Sequence, residues 1–243
     1  MLIIKNSSKK NDYLRHINVY IISLFFMLSN ICFSQDEQEL GARIIYFYYH
    51  KLKESNFGIQ GDLQYQDWKT FGDFNLFLAR SGLTYTPKDK NIRFILGYAF
   101  AVIQPIWSNT ENFNENRIYQ EILFPHKIGN VFYIVHRFRY EQRFIQNQDF
   151  RTRFGYNLFV NVPLNKTKLE TKALYISAFN ELFINGETDI GNGRMVKQFD
   201  RNRTFLGLGY VLNDNIKFQF GFVKEKTSRT KYDYLQLVMQ HTF

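Results

Sequence analysis

The sequence predicts an all-β protein: an antiparallel transmembrane β-barrel of 10 or 12 strands, preceded by a cleaved signal peptide. Three observations predict this class. An export signal covers the first residues, segments of alternating apolar and polar side chains recur along the rest of the chain, and the last such segment ends on Phe243. Alternation of this kind is typical of strands with one face toward lipid and the other toward a polar lumen.

The first 34 residues have the three parts of a secretory signal peptide. A basic segment ending at Arg15 precedes an apolar run over 17–33, and Cys32 and Ser34 place small residues before a cut at Gln35. A retained membrane anchor is disfavoured, because the run is short for the ~20 residues of a spanning helix. We therefore expect a signal peptide over 1–34 and one outer-membrane barrel domain over 35–243.

The mature chain would be basic and free of cysteine. Cleavage removes Cys32, the only cysteine, which excludes disulfides, cysteine nucleophiles and cysteine metal sites. The remaining 209 residues carry 27 Lys and Arg against 21 Asp and Glu, a formal charge of +6 instead of +9 for the full chain. Because an exported protein does not meet the genome, we expect anionic lipid or an anionic solute as its counterpart, and no nucleic acid.

Alternation with a period of two marks eleven segments. In one of the clearest, Phe154, Tyr156 and Leu158 alternate with Arg153 and Asn157. The predicted strands lie near 40–51, 57–66, 74–86, 92–102, 116–125, 131–144, 150–162, 171–184, 201–212, 216–222 and 235–243. An exported soluble β-sandwich that binds a partner is the alternative, but the apolar faces suit membrane strands of ~9–11 residues. Bacterial barrels have even strand numbers, so either 40–51 lies outside the wall or one strand is missing from the count.

The connections predict which strand ends lie together. Counted back from a periplasmic C-terminus, the periplasmic turns lie near 213–215, 164–170, 127–130, 87–91 and 52–56. The connections near 227–230, 185–199, 144–149, 105–115 and 69–73 include the two longest and are predicted to lie outside. Aromatic residues near segment ends are predicted to form girdles at the membrane surface, namely Tyr46, Phe47, Tyr48, Tyr49, Trp68, Trp107, Tyr232 and Tyr234.

The C-terminal segment also predicts partners. Leu235, Leu237, Met239 and Phe243 place large side chains on one face, with Gln236 on the other. We interpret these four residues as the signal read by the barrel-assembly machinery, and outer-membrane lipid as the second partner. The sequence does not indicate an oligomeric state.

Several short motifs resemble a family of outer-membrane barrels. Asn-Arg-Ile-Tyr-Gln at 116–120, Arg-x-Gly-Leu-x-Tyr at 80–85, Gly-Tyr-Ala at 97–99 and Phe-Asp-x-Asn-Arg at 199–203 carry the resemblance. In this order, the motifs resemble a Bacteroidetes-type family of short outer-membrane β-barrels of unknown function, over about 40–243. The resemblance implies location and fold, and it supplies no catalytic or binding residues. Many relatives have Trp where this chain has Arg43 or Tyr46, so the placement of segment 40–51 stays open.

Charged residues on the polar faces are the main candidates for a site. The predicted lumen-lining residues are Arg80, Arg117, Glu121, Arg137, Arg139, Glu141, Arg143, Arg151, Arg153, Glu181, Arg201 and Arg203, with Asp62 and Asp149 among them. One interpretation is an arginine-lined path that favours anions. The other is a packed lumen whose charges neutralise one another, which a small barrel favours because its own side chains fill it. Arginines that follow the outer loops, such as Arg117 and Arg201, are also candidates for binding lipid phosphates.

Catalytic and metal-binding patterns are weak in this sequence. An outer-membrane enzyme acting on lipid or peptide would need a general base beside a nucleophile. The predicted topology places His50, His126 and His241 toward the periplasmic ends and His136 on the apolar face. The loop acids Glu111, Glu115, Glu187 and Asp189 are better explained as solvated residues than as a Ca²⁺ site. We therefore predict no enzyme, metal or cofactor, but a structural barrel or a porin-like narrow channel for small solutes, anionic ones included, in a Gram-negative envelope.

Overall fold

A computed structural model describes residues 40–70, 72–105, 111–129 and 131–243. The signal peptide predicted over 1–34 and Trp107 lie outside these residues. The described residues form β1 (Gly41–Lys51), β2 (Phe57–Lys69), β3 (Gly72–Tyr85), β4 (Arg93–Ile103), β5 (Phe113–Ile128), β6 (Phe132–Ile145), β7 (Arg151–Pro163), β8 (Leu174–Asn185), β9 (Phe199–Val211), β10 (Ile216–Thr227) and β11 (Lys231–Thr242). Within them, no helix has the length and apolar character needed to cross a membrane.

The eleven strands form one closed barrel, which confirms the predicted all-β barrel class. Strands adjacent in the chain pair antiparallel, whereas β1 and β11 pair in parallel, from Gly41 beside Tyr234 to Tyr49 beside Thr242. An odd number of alternating strands must close in this way, because the first and the last point in the same direction. The prediction of 10 or 12 strands is therefore wrong for the described residues. Segment 40–51 belongs to the wall, and parallel pairing satisfies its backbone.

The connections alternate between the two ends of the barrel as predicted. Leu40, which precedes β1, marks one end, where the backbone N–H of Thr70 donates to its carbonyl. Phe243 marks the other end, where its N–H donates to the Tyr49 carbonyl. We call these the Leu40 end and the Phe243 end. The lengths are less asymmetric than predicted, because the β7–β8 connection at the Phe243 end spans 164–173.

The two faces of the wall differ as the alternation predicts. Outward positions carry exposed apolar side chains, whereas inward positions of the same strands are buried and mostly polar. In the C-terminal strand, Leu237 and Phe243 are exposed outward, Leu235 and Met239 are half-buried, and Gln236 is buried. The predicted period-two segments are therefore confirmed as strands of the wall.

The predicted aromatic girdle is wrong for Trp68, Tyr232 and Tyr234, which lie inside the barrel, and stays a prediction for the outward rings. Tyr46 and Tyr48 lie on the outward face of β1, and the Tyr46 hydroxyl lies 3.0 Å from His241 Nδ1 across the parallel seam. Tyr234, in contrast, is buried inside the barrel, and the rings of Trp68 and Tyr232 pack near it at a tilt of 48°, with their centroids 4.7 Å apart. Even-numbered residues of β11 point inward, so these rings fill the lumen near the Leu40 end.

Inward glycines make room for tyrosine rings that narrow the lumen. A Cβ on Gly209 would lie 2.1 Å from the ring of Tyr175, and one on Gly97 would lie 2.3 Å from the ring of Tyr119. Real Cβ atoms do not approach so closely, so each ring lies directly over the bare backbone of the glycine. Glycines on the polar face are thus part of the lumen packing.

Candidate functional site in the barrel lumen

A cavity of about 780 Å³ lies inside the barrel. Its lining extends from Arg229 and Thr230 at the Leu40 end to Asn161 and Gln240 near the Phe243 end. All eleven strands contribute inward side chains, because alternation turns every second residue toward the axis. The cavity is therefore the lumen itself rather than a pocket in its wall.

The lumen has two chemically different halves. The inward side chains of β5 to β9 form a charged half, in which arginines alternate with glutamates on neighbouring strands. The inward side chains of β10, β11, β1 and β2 form an amide half, which contributes Gln60, Gln64, Gln66, Gln219, Gln236 and Gln240 to the cavity lining. Its two carboxylates in the network, Asp62 and Glu225, pair with Arg80 on β3 and with Arg203 on β9.

Glu115 is the most enclosed carboxylate of the charged half. It is fully buried between two arginines, 2.7 Å from Arg117 Nε and 2.5 Å from Arg143 Nε. Arg117 lies two residues after Glu115 on the same face of β5. Arg143 on β6 is the register partner of Arg117. The local alternation and the pairing of β5 with β6 therefore assemble this group.

Arg153 joins two carboxylates from different strands. Its guanidinium lies 2.6 Å from Glu141 on β6 and 2.7 Å from Asp200 on β9. The register of β8 and β9 shifts between Phe183 and Ile184, at the level of Asp200. This irregularity allows Asp200 to reach an inward arginine although it adjoins the inward Arg201, 3.1 Å away.

The remaining pairs extend the network around the lumen. Each joins an arginine to a carboxylate on another strand, and the separations are 2.6 Å for Arg137–Glu181, 2.6 Å for Arg139–Glu121 and 2.7 Å for Arg80–Asp62, with Arg203 bound to Glu225 as well. Guanidinium–carboxylate contacts are strong and directional. Loss of one partner leaves a buried charge unpaired, which typically costs roughly 3–5 kcal/mol.

Among the buried arginines that line the cavity, Arg43 is the exception to this pairing. Arg151 on β7 is also buried without a carboxylate partner among the described residues, but it does not line the cavity. Arg43 lies on β1 in the amide half, is only 5% exposed and lines the cavity. Its Nη2 donates to Gln64 Oε1 at 2.6 Å, whereas its Nε has no hydrogen-bond partner. Among the described residues, no carboxylate oxygen lies within 4.0 Å of it. Because arginine keeps its proton, Arg43 is a buried cation that needs water or an anion.

The cavity lining as a whole carries excess positive charge. Ten arginines line it, namely Arg43, Arg80, Arg117, Arg137, Arg139, Arg143, Arg153, Arg201, Arg203 and Arg229. Five carboxylates line it, namely Glu115, Glu121, Glu181, Asp200 and Glu225. Asp62 and Glu141 pair with lining arginines but do not line the cavity themselves. If they are counted as well, the number of carboxylates rises only to seven. The network therefore does not neutralise the lumen.

The structure brings the predicted lumen residues together. Of the twelve, eleven are buried and Arg201 is half-buried. Arg151 is buried as well, but its Nε lacks a hydrogen-bond partner. Asp149 was expected among them, but it is exposed in the β6–β7 connection, beside Gly191. Asp149 precedes Arg151, the first residue of β7, so the alternation of that strand does not determine where Asp149 lies.

Sequence reasoning missed several charged residues of the lumen. Glu115 was assigned to a loop, but β5 begins at Phe113 and encloses it. Arg43, Asp200 and Glu225 were not selected either. Glu225 could have been found from the alternation of β10, where Gln219 and Val223 share its inward face. Arg43 had no comparable signal, because apolar and aromatic residues occupy both faces of Ile44 to Tyr49.

The histidines lie on the outer wall or near the Phe243 end. His136 is on the outward face as predicted, with Nδ1 2.8 Å from the Tyr156 hydroxyl and its ring stacked on His126 at 5.0 Å. Glu187 accepts hydrogen bonds from Thr152, and Asp189 accepts one from the N–H of Gly191. Within the part of the chain that the structure describes, no group of three or more His, Cys, Asp or Glu side chains could hold a metal ion.

Comparison with known proteins identifies the family. The model of a family described as Protein of unknown function (DUF2490) matches residues 44–236. The chain belongs to this family. The match agrees with the resemblance carried by the motifs at 80–85 and 116–120. Membership extends over nearly the whole barrel, from β1 into β11.

Curated proteins and solved structures add little to this assignment. No curated protein matches the chain. Among solved structures, LpxR from Salmonella typhimurium is similar, at 13% sequence identity and a TM-score of 0.47. That match covers 78% of this chain and 83% of the other.

Proposed function

We propose that this protein is a non-enzymatic integral barrel of the outer membrane whose lumen admits small anionic solutes. The apolar outer wall supports the membrane location. Leu96, Phe154, Leu208, Phe220 and Phe222 expose between 52% and 60% of their surface outward. Soluble monomers rarely expose apolar patches larger than a few hundred Å², whereas a barrel in lipid requires such a band.

The observation that carries the anion proposal is Arg43. A buried guanidinium without a carboxylate partner, in a cavity where arginines outnumber carboxylates, provides a place for a mobile anion. Rings of arginine select anions by charge in narrow pores. The amide side chains around Arg43 add neutral hydrogen-bond donors that do not repel an anion. The amide half is therefore the proposed path, and the charged half is its rigid wall.

A structural barrel with a closed lumen is the second candidate. The ion-pair network favours it, because Arg139 and Arg143, which the sequence suggested as selectivity residues, each hold a carboxylate. Replacement of either arginine would leave that carboxylate buried and unpaired. Arg43 is therefore the better residue for a test of passage, since Arg43→Gln removes charge without leaving an acid behind.

Membrane location can be tested first. After detergent extraction, the folded barrel should migrate faster in gels before heating than after it. Spin labels at Leu208 and Phe220 should report contact with acyl chains. A chain found in the soluble periplasmic fraction, or labels buried against protein, would contradict the outer-membrane proposal.

Passage can then be tested in planar bilayers under a salt gradient. We expect conductance steps with a reversal potential that indicates preference for chloride over potassium. Arg43→Gln should move the reversal potential toward zero, whereas Lys88→Gln, at an exposed turn of the Phe243 end, should leave it unchanged. Absence of conductance steps would eliminate the channel and leave the structural role.

A non-enzymatic role is favoured by the surroundings of the histidines. The ring nitrogens of His136 and His241 face tyrosine hydroxyls on the outer wall, rather than a nucleophile beside the cavity. The C-terminal strand β11 carries Leu237 exposed on its outer face, and the exposed Phe243 follows it directly. We propose this C-terminal segment as the one bound by the assembly machinery. Hydrolysis of lipid or peptide by the purified barrel would contradict the non-enzymatic proposal.

A further inference from the structure

The hairpin of β10 and β11 carries three lysines on its outward face at the Leu40 end. Lys226 and Lys231 are direct register partners across the hairpin, and Lys224 faces Asp233 one position further down the wall. All four side chains are exposed. We call Lys224, Lys226 and Lys231 the hairpin lysine patch.

The patch places two like charges against each other. Directly opposed residues on antiparallel strands have Cβ atoms about 4.5–5.5 Å apart, and like charges in such positions destabilise the pair. None of the three lysines has a carboxylate oxygen within 4.0 Å among the described residues. In contrast, Lys69 in the β2–β3 hairpin at the same end lies 3.4 Å from Asp73. No ion pair within 4.0 Å therefore offsets the repulsion between Lys226 and Lys231 among the described residues, and the nearest outward acid in the register, Asp233, faces Lys224.

The patch also lies at the edge of the apolar wall. Along β10, the outward side chains change from Phe220 and Phe222 to Lys224 and Lys226. On the neighbouring strand β9, the outward side chains change from apolar to polar at the same level, because Thr204 is the register partner of Lys224. Lysine at such a boundary can lay its methylenes on apolar surface and extend its ammonium group to the polar layer.

Neutral hydrogen-bonding groups adjoin the lysines on the same outer face. Asn180 Nδ2 donates to Asn202 Oδ1 at 3.0 Å and to Thr204 Oγ1 at 2.8 Å. Asn202 returns a hydrogen bond to Asn180 Oδ1, also at 3.0 Å. Mutual satisfaction of polar groups is what a lipid-facing surface requires. Above the apolar wall, the outer face is thus neutral and polar on β9 and cationic on β10 at the same level.

We propose that the hairpin lysine patch binds the phosphate of an anionic lipid headgroup in the leaflet at the Leu40 end. One phosphate between Lys226 and Lys231 would convert their repulsion into two charge-assisted contacts. The acyl chains would follow the apolar wall below, along Phe222 and Leu235. This inference rests on the membrane location proposed above, and it replaces the inward-facing Arg117 and Arg201 as candidates for lipid phosphate.

The test compares two charge-matched double variants of the full barrel in detergent micelles. Lys226→Gln/Lys231→Gln removes the facing pair, and Lys88→Gln/Lys90→Gln removes two exposed lysines from the opposite end. Native mass spectrometry measures retained lipid during titration with phosphatidylglycerol, or with phosphatidylcholine of the same chain length. Inorganic phosphate is added as a competitor in a separate arm.

We expect the wild-type protein to retain phosphatidylglycerol in preference to phosphatidylcholine. The Lys226→Gln/Lys231→Gln variant should bind phosphatidylglycerol roughly tenfold or more weakly, as removal of two cationic contacts to an anionic lipid predicts. The Lys88→Gln/Lys90→Gln variant should bind like the wild type, and millimolar phosphate should not displace the lipid.

Three results would overturn the inference. These are equal retention of the two lipids, equal losses in both double variants, and displacement of lipid by inorganic phosphate, which would indicate a free-anion site. Heat-dependent gel migration, measured on the same samples, separates the two proposals. A barrel that folds and inserts but does not discriminate lipids contradicts the patch alone, whereas one that never inserts contradicts the membrane location and the patch together.

Discussion

The charged half and the amide half of the lumen solve the same problem differently. On β5 to β9, every carboxylate on an inward face contacts an arginine, and the side chains hold one another in place. On β1, β2 and β11, glutamines surround Arg43, which has one hydrogen bond to Gln64 and no carboxylate oxygen within 4.0 Å among the described residues. The buried arginines that line the cavity are therefore of two kinds: most hold a carboxylate, whereas Arg43 holds an amide.

The largest expected effect is loss of the most enclosed carboxylate of the charged half. Glu115→Gln leaves Arg117 and Arg143 buried without their shared partner, so the free energy of unfolding should fall by roughly 5 kcal/mol. Urea unfolding in lipid vesicles measures this change. Glu111→Gln, at an exposed residue just before β5, is the control and should change stability by less than about 0.5 kcal/mol. Equal stability of the two variants would contradict the structural role of the network.

The next effect compares one arginine from each half. Arg139→Gln leaves Glu121 unpaired and should lower the free energy of unfolding by about 3 kcal/mol. Arg43→Gln removes a buried charge that lacks an ionic partner, so stability should stay constant or rise by about 1 kcal/mol. The same urea titration measures both. A loss for Arg43→Gln as large as that for Arg139→Gln would remove the distinction between the halves.

A carboxylate added to the amide half should make it resemble the charged half. Gln236 is the register partner of Arg43 on β11, so Gln236→Glu places an acid beside the uncompensated guanidinium. We expect the preference for chloride in bilayer recordings to fall about as far as in Arg43→Gln, because the added carboxylate occupies the anion's position. Gln219→Asn, which adds no charge on β10, is the matched control. Unchanged selectivity in Gln236→Glu would place the selective site elsewhere.

The smallest expected effect concerns hydrogen exchange of the backbone amides in the two halves. Parallel pairs are slightly less stable per residue than antiparallel ones, and β1 and β11 form the parallel seam of the amide half. Amide hydrogens of Ile44 and Ile45 should therefore exchange a few-fold faster than those of Tyr119 and Gln120 in the long β5–β6 pair. Exchange measured by mass spectrometry in micelles tests this, and equal protection would count against a weaker seam.

The wall could be predicted from the sequence because alternation is a local property. Phe154 beside Arg153 reveals both faces of β7 without knowledge of any other strand. Closure could not be predicted in this way, since it depends on how β1 meets β11, about 190 residues further along the chain. The even-number rule pointed to 10 or 12 strands, and the parallel seam overrides it.

The site was predictable in composition but not in pairing. Alternation predicts the arginines of β6, β7 and β9 in the lumen, and all of them are buried there except the half-buried Arg201. Their partners depend on cross-strand register, which placed Glu115 beside Arg143 and left Arg43 with Gln64. Arg43 was missed because Ile44 to Tyr49 is apolar or aromatic on both faces, so β1 has no readable polar side.

The parallel seam has a consequence for the order of folding. Antiparallel neighbours can join one after another as hairpins grow, but β1 and β11 can meet only after the intervening chain has curled around. No tight turn sets their alignment, and a slip by one residue would turn Arg43 out toward the apolar exterior. The contact between the Tyr46 hydroxyl and His241 Nδ1, at 3.0 Å, spans the β1–β11 seam and can hold the two strands in register. We therefore expect closure of the β1–β11 seam, rather than formation of the hairpins, to be the slow step of folding.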